Sequence, residues 1–486
     1  MSKIELTKVN LLFKDSKNDC IKDWSSISKN IEIPSSTYVS NDLNHTDKKF
    51  MGLYKNSDGI YRTSGIVGVG WLKDCNGNTV IDSKTGNSYA ILIKPRFEKL
   101  DPWEMLATVF ADDEYEEYID ENGDFYTFNT NEKMIPIPAT EKGGEFLAAL
   151  SFLNACVKLC RRHLSKNITF EEINCNGKIM GNINVSKHIK YNLSVGREDR
   201  IYCRYPRFTL DTLENRIIKA ALVKSHKIIQ SNNNKSNQIH RMFTFCMNSL
   251  KTVNTVKIVK SDFLKISVSG CKSNYKTIID LAETILFNEG IYDLFDKNIK
   301  ESYRYVIPYT INMEHLFEFY VRTIIKNKFK EEYKSVYKLD KYRTKNKNPL
   351  KVFDSSLKQS VYLMNSYIPD IAIYRGNDDS KTYIAVFDVK YQHSNNKAYA
   401  SSVRHNSHQL LFYALLLNVD LCGFIFPDEL ESKAITEGIP LNILDGNRIK
   451  TKEDKPIYYT QWLIDLSDEL SKEESINSFY NSLIQK

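Results

Sequence analysis

Two short stretches carry residue types that could work together chemically. Ile368-Pro369-Asp370-Ile371-Ala372-Ile373-Tyr374 is followed, after eight residues, by Tyr383-Ile384-Ala385-Val386-Phe387-Asp388-Val389-Lys390-Tyr391. In a strand, residues two apart share a face, so Asp388 and Lys390 point the same way while Val389 points into packing. Asp370, at the start of the other strand of a hairpin, can reach the same place. Two carboxylates converging on one point repel each other unless a cation lies between them, and hard oxygen ligands with room for water suit Mg²⁺ or Mn²⁺. An adjacent ammonium can hold or activate a water and stabilise charge developing on a phosphate. These are the parts needed to hydrolyse a phosphodiester. A third acid is expected from the helical stretch HLFEFYVRTII, with Glu318 first and Glu314, one turn earlier, in reserve.

An acid-x-Lys triplet is cheap by itself, because others begin at Asp15, Asp47, Asp82, Glu332, Asp379, Glu431 and Glu453. Those lie in polar, turn-like sequence. Asp388 and Lys390 instead follow an apolar strand run, where charge is costly to bury unless it is compensated. Plainer readings stand beside the chemical one. Asp388 and Lys390 could be a strand-end ion pair, and Glu318 could pair on a helix surface with Arg322, four residues on. Gln409 and Tyr413, one turn apart on one helix face, are either a polar pair looking back toward the site or a buried pair with no further role. His405 and His408 have no third ligand at metal spacing and read as surface residues.

The elements that must position these groups read as follows. From about residue 300 the pattern gives a helix (311–330), a basic connection, strands at 367–375 and 382–391 around a turn at 376–379, a helix (405–418), a strand (422–427) and a last helix (467–485). Helices flanking a small mixed sheet make an α/β domain. Residues 1–140 are β-rich, with short runs such as 65–71 and 89–94 between turns. Residues 141–298 mix a helix over 144–164, strands between 173 and 205, a helix opened by an Asp211-x-x-Glu214 capping box, and helices near 237–253 and 276–289. The fold expected is thus an α+β, β-rich N-terminal region, a helical middle and a C-terminal α/β domain, divided at 1–140, 141–298 and 299–486.

Charge is unevenly spread. The net +7 is modest, yet residues 101–124 hold ten acids and no Lys or Arg, whereas 321–351 hold eleven Lys and Arg against three acids. The acidic run is unsuited to a phosphate backbone and marks the first third as structural or protein-contacting; the basic run, from Arg322 to Lys351, could approach DNA. Nine cysteines without a C-x-x-C indicate neither a disulfide framework nor a zinc ribbon, and fit a reducing cytoplasm. The opening MSKIELTKVN has no signal-peptide core, and the most apolar stretch, 410–426, is interrupted by Asn418 and Asp420, so secretion and membrane insertion are not expected. No G-x-x-x-x-G-K-[ST] occurs, and Gly177-Lys178 lacks the earlier glycine, so the chain is not expected to bind nucleotide through a P-loop.

Taken together, Glu318, Pro369-Asp370, Asp388-Val389-Lys390 and Gln409-x-x-x-Tyr413 resemble the PD-(D/E)xK nuclease superfamily. The order HLFEFYV, IPDIAIY, AVFDVKY and HQLLFYA resembles, more narrowly, the McrC family of nuclease subunits in McrBC-type modified-cytosine restriction systems. The upstream stretches GKIMGNINVSKHIKYN and REDRIYCRYPRFTLDTLENRIIKAAL are similar to the segment preceding the nuclease domain in that family, so the resemblance spans roughly residues 170–430. It implies a restriction-endonuclease-like core and a Mg²⁺- or Mn²⁺-dependent endonuclease acting on double-stranded DNA, modified-base DNA included, in anti-phage defence. It also implies an McrB-like AAA+ GTPase ring on which the chain docks and whose GTP hydrolysis it stimulates, with residues 1–140 available for that contact. The implied roles are metal binding by Asp370 and Asp388, with the Val389 carbonyl and Glu318 completing the shell, water positioning by Lys390, and orientation of Lys390 by Gln409. A regulatory adaptor that activates an NTPase ring without cutting, and a solitary repair or transposon nuclease, are the competing readings.

Overall fold

A computed structural model describes residues 9–12, 20–28, 31–39, 51–112, 114–115, 125–129, 132–138, 144–231, 237–266, 275–287, 303–331, 337–340, 350–354, 359–364, 369–377, 380–393, 400–428, 439–440, 449–451, 453–465 and 469–484. The chain forms two compact units, one made of residues 1–136 with 307–486 and the other of 137–306. These units do not follow the three consecutive segments expected above. The chain leaves the first unit, builds the second, and returns as Tyr309–Asn312, which pairs with both Ile66–Trp71 and Tyr126–Phe128. Backbone pairing between residues so far apart in sequence leaves no local trace, which is why a linear reading divides the chain differently.

The first unit contains a five-stranded sheet in the order Val9–Leu12, Ser88–Ile93, Ile66–Trp71, Tyr309–Asn312, Tyr126–Phe128. It also contains a six-stranded sheet in the order Tyr337–Leu339, Ile371–Arg375, Thr382–Val389, Leu421–Asp428, Tyr458–Asp465, Ile439–Pro440. Thr382–Val389, Leu421–Asp428 and Tyr458–Asp465 run parallel, and the helix Ala400–Leu417 makes the first crossover. Leu421–Asp428 is buried along its whole length, as a central parallel strand covered on both faces should be. On one face Val386, Phe424 and Phe426 pack with Leu410, Tyr413 and Ala414 of the crossover helix. On the other, Phe387 meets Phe479 edge-on and Trp462 stacks on Phe479 at 3.9 Å, so the final helix Glu469–Ile484 closes that side.

The strand Tyr309–Asn312 leads straight into the helix Met313–Glu331. Asn312 Oδ1 accepts the backbone N–H groups of Glu314 (3.1 Å) and His315 (3.2 Å), capping two of the orphan donors at the helix start. The helix that carries Glu318 is therefore held directly by the five-stranded sheet.

The second unit holds the helices Gly144–Arg162, Leu213–Ser231, Asn237–Ser249 and Lys276–Phe287, and a sheet of Asn167–Asn176, Arg200–Thr209 and Asn182–Ile183. Residues 177–181 form an irregular connection rather than the expected strand, with Gly177 and Gly181 at φ +64° and +68°, a region closed to most side chains. Asp211 does not cap the next helix. Thr212 does, its Oγ1 accepting from the Asn215 N–H at 3.3 Å, while Asp211 pairs with Arg216 at 2.7 Å. Every described cysteine is a free thiol. Among the described residues, no helix is long and apolar enough to cross a membrane.

Candidate active site

Antiparallel register sets the geometry of the site. Ile371 pairs with Phe387, so Asp370 and Asp388, one step outward on each strand, stand opposite one another. Opposed residues project to the same face of a sheet. Asp370 Oδ2 accepts the Val389 N–H at 2.8 Å. Lys390 Nζ lies 2.7 Å from Asp388 Oδ2, and the Lys390 N–H donates to the Ile425 carbonyl at 2.9 Å, so the neighbouring strand pins the lysine backbone. Asp370, Asp388 and Lys390 are thus gathered where the sequence places them, on the face expected. The ion pair of the plainer reading is present as well, and it forms part of this cluster.

The cluster is short of positive charge. Burial, then the charges of Glu318 and Asp388, hold the Asp370 carboxyl well above the usual carboxylate range, against the pull of Lys390 and the Val389 N–H. Asp388, only 7% exposed, is also raised by burial, and is drawn down by Lys390. The charge on each acid disfavours ionisation of the other, so the pair titrates as one system. Burial pulls the Lys390 ammonium down, but Asp388, Asp370 and Glu318 outweigh it and leave the group above its ordinary value. Glu318 is close enough for its charge to act on both Asp370 and Lys390.

Among the described residues, no three His, Cys, Asp or Glu side chains close into a ready-made metal cage. The donor chemistry fits a hard divalent ion all the same. Asp370 and Asp388 offer opposed carboxyl oxygens, with the charge of Glu318 acting on Asp370 and the Lys390 ammonium to compensate. A divalent cation between the two carboxyls would offset their mutual repulsion.

Gln409 is exposed, and its amide donates to Tyr413 Oη at 2.6 Å. Tyr413 is 3% exposed within the core under the crossover helix. The expected face-sharing pair is present, while among the described contacts Gln409 has none with Lys390. His408 is exposed, and the His405 side chain lies outside the described residues.

The basic run contains a correction. Arg322 and Lys326 are 3% and 8% exposed and face inward, where Arg322 binds Glu114 at 3.1 Å and Lys326 binds Asp112. These two cations are engaged by the acidic run and do not present themselves to phosphate. Arg322 and Lys326 follow Glu318 by four and eight residues and so lie on its side of the helix, which a count of charges does not register. Lys330 and Lys338 are exposed, whereas 332–336 and 341–349 lie outside the described residues.

Sequence reasoning missed a second layer behind the lysine. Asp23, 1% exposed, accepts the Arg96 backbone N–H, and the Arg96 guanidinium sits 4.6 Å over the Tyr391 ring. Burial raises Asp23 to about 7 despite Arg96. Burial also raises Glu314, the reserve acid, against Arg96, His315 and Lys390. A Cβ on Gly65 would lie 2.9 Å from Trp24 Nε1 and 3.1 Å from Glu314 Cγ, so this layer is closely packed. The position of Tyr391 after Lys390 was the one available signal; Asp23 and Arg96 have none.

A family model described as the McrBC 5-methylcytosine restriction system component matches residues 124–427. Comparison with curated proteins returns no match. Among solved structures, the chain is similar to one from the refined half-complex of a tetradecameric assembly of Thermococcus gammatolerans McrB AAA+ hexamers with bound McrC. That match has 13% identity, covers 92% of this chain and 91% of the other, and has a TM-score of 0.35. A chain of the Thermococcus gammatolerans McrBC complex is similar at 12% identity over 61% of this chain and 75% of that one, with a TM-score of 0.27. The family model covers well over half of the sequence, and on that match the chain belongs to the McrBC 5-methylcytosine restriction system component family.

Proposed function

We propose that this chain is the McrC-like subunit of its system: a divalent-metal-dependent DNA endonuclease with a PD-(D/E)xK site, acting on an McrB-like AAA+ GTPase ring. The observation that carries the reading is the opposition of Asp370 and Asp388 across the hairpin, with Lys390 2.7 Å from Asp388. Asp370 and Asp388 would hold the ion, helped by the Val389 carbonyl and by Glu318. A bound Mg²⁺ or Mn²⁺ would polarise the phosphate and make a bound water more acidic. Lys390 faces that place as a cation, able to orient a water and to offset charge on the phosphoryl oxygens. Gln409 and Tyr413 stiffen the crossover helix.

The partner assignment rests on family membership and on the absence of a P-loop in the sequence. A docking surface is available in the second unit. Ile168, Phe170 and Phe208 are 51%, 56% and 68% exposed on one face of its sheet, and Ile179, Val185 and Val195 are exposed near its turn and short helix. Apolar side chains clustered this densely in the open mark a protein-binding face. We assign ring contact to this sheet rather than to residues 1–140, of which 1–136 share a compact unit with the candidate site.

The test is to assemble wild-type, Asp388→Ala and Lys390→Ala chains with the partner ring and measure GTP hydrolysis and DNA cleavage side by side with Mg²⁺. Stimulated hydrolysis in all three, with cleavage in wild type alone, is expected. Stimulation without cleavage even by wild type would replace this reading with that of a non-cutting adaptor.

A further inference from the structure

One turn after Glu318, the helix Met313–Glu331 carries an arginine with unusual surroundings. Arg322 Nη2 donates to the Asp340 carbonyl oxygen and, at 3.1 Å, to Glu114 Oε2, while Nη1 reaches the Asp370 carbonyl oxygen at 3.4 Å. Asp340 is itself fixed. Its N–H donates to the Ala372 carbonyl at 2.8 Å, and its carboxylate accepts from Lys381 (2.7 Å) and Tyr383 (2.6 Å). The guanidinium therefore bridges the main chain at Asp370, where the strand Ile371–Arg375 begins, and at Asp340, where its neighbour Tyr337–Leu339 ends, and Glu114 backs it from the acidic run. In the next turn Lys326 engages Asp112 and, at 3.5 Å, Glu114.

Stability alone is a poor explanation for this arrangement. Buried ion pairs lose so much hydration that apolar residues of similar size often serve as well or better. What an apolar residue cannot supply is direction. The helix packs through contacts such as Phe317 on Tyr391, which tolerate sliding, whereas the planar guanidinium fork allows one orientation. The helix it fixes carries Glu318, and the carbonyl it reaches belongs to Asp370.

We infer that Arg322 is a positioning residue for the candidate cation site: it ties the helix bearing Glu318 to the main chain at Asp370, and Glu114 holds the guanidinium in place. The inference rests on reading Asp370 and Asp388 as cation ligands. It gives the acidic run a role inside the site's frame.

The test is calorimetric titration of the full-length chain with Mn²⁺ alone, with thermal midpoints measured in parallel. Arg322→Lys keeps the charge but loses the fork, and should weaken Mn²⁺ binding by about tenfold, the scale on which residues behind metal ligands act. Glu114→Gln should weaken it less, and the double variant should bind no worse than Arg322→Lys, because Glu114 acts through Arg322. Lys326→Met removes a neighbouring buried cation that pairs with Asp112 and Glu114 of the acidic run; it should lower the thermal midpoint and leave Mn²⁺ affinity unchanged. Wild-type affinity in Arg322→Lys overturns the inference, as does a loss in Lys326→Met equal to that in Arg322→Lys. Should Arg322→Lys not fold, wild-type affinity in Glu114→Gln overturns it. A wild-type chain that binds no Mn²⁺ removes the cation-site reading and this inference together.

Discussion

Asp370 and Asp388 stand opposite one another across the open end of a β-hairpin, and burial raises both carboxyls above their ordinary range. Two buried acids facing each other make that point the place where opposite charge is most needed. The functional proposal follows from this demand, since a divalent ion answers it more completely than a proton does.

Asp388→Asn removes one charge while keeping shape. Cleavage by the assembled complex should fall by at least ~10²-fold, the loss typical when charge stabilisation at a reacting centre is removed. The thermal midpoint should hold or rise, because an amide is less costly to bury than a carboxylate. Paired cleavage assays and thermal melts check both halves; metal-dependent cutting at the wild-type rate by this variant would end the assignment.

Asp23 makes a prediction about stability and pH. Its folded pKa is raised to about 7 by burial, from an ordinary value of 3.8. Between those values the folded chain holds a proton that the unfolded chain has released, so stability is greatest below the lower value and falls as pH climbs toward about 7, then levels off. The loss should reach a few kcal/mol at most. Asp370 and Asp388 slope the same way, so the comparison needed is wild type against Asp23→Asn, by urea unfolding at pH 5, 6, 7 and 8. The variant should show the shallower decline, and parallel curves would mean that Asp23 ionises as an ordinary acid.

Much of this site was legible in advance because strand periodicity and register are local rules. Asp388 and Lys390 share a face by the two-residue repeat, and a hairpin after Asp370 leaves it little freedom to go elsewhere. Glu318 was legible through helical spacing, with its distance to the strands left open. Arg322 and Lys326 were misread because a Lys- and Arg-rich run looks the same from sequence whether its members face water or acids hundreds of residues away. The division into units was hidden for a related reason: Tyr309–Asn312 pairs with strands near residues 66–71 and 126–128, and only the fold records such long-range pairing.

That long-range pairing can be broken at one residue. Gly68 has φ +136°, and a Cβ there would stand 2.2 Å from the Tyr309 carbonyl oxygen. Gly68→Ala therefore meets backbone strain and a clash with main chain, neither of which side-chain rotation relieves. A destabilisation of roughly 2–4 kcal/mol is expected. Tyr309–Asn312 leads into the helix carrying Glu318, so Mn²⁺ affinity should weaken along with the unfolding midpoint. Denaturant unfolding and metal titration of the same preparation measure both; an unchanged midpoint would show that this strand pairing contributes little.

The last prediction separates docking from cutting. Phe170 and Phe208 stand out on the same face of the second unit's sheet, with the Arg204 guanidinium 4.6 Å over the Phe170 ring. Exposed aromatic residues beside an arginine are the side chains that dominate binding energy when a partner covers them. Because solvent already surrounds Phe208, its replacement by Glu should leave the thermal midpoint and Mn²⁺ affinity of the isolated chain unchanged. Affinity for the ring should drop by tenfold or more, the scale of a central interface residue. Stimulated GTP hydrolysis should fall with it and recover at high chain concentration, and cleavage should follow the same concentration curve. Asp388→Asn should show the opposite pattern, with normal ring affinity and no cleavage at any concentration. If Phe208→Glu binds the ring as wild type does, the docking face lies elsewhere, and the exposed apolar sheet needs another occupant.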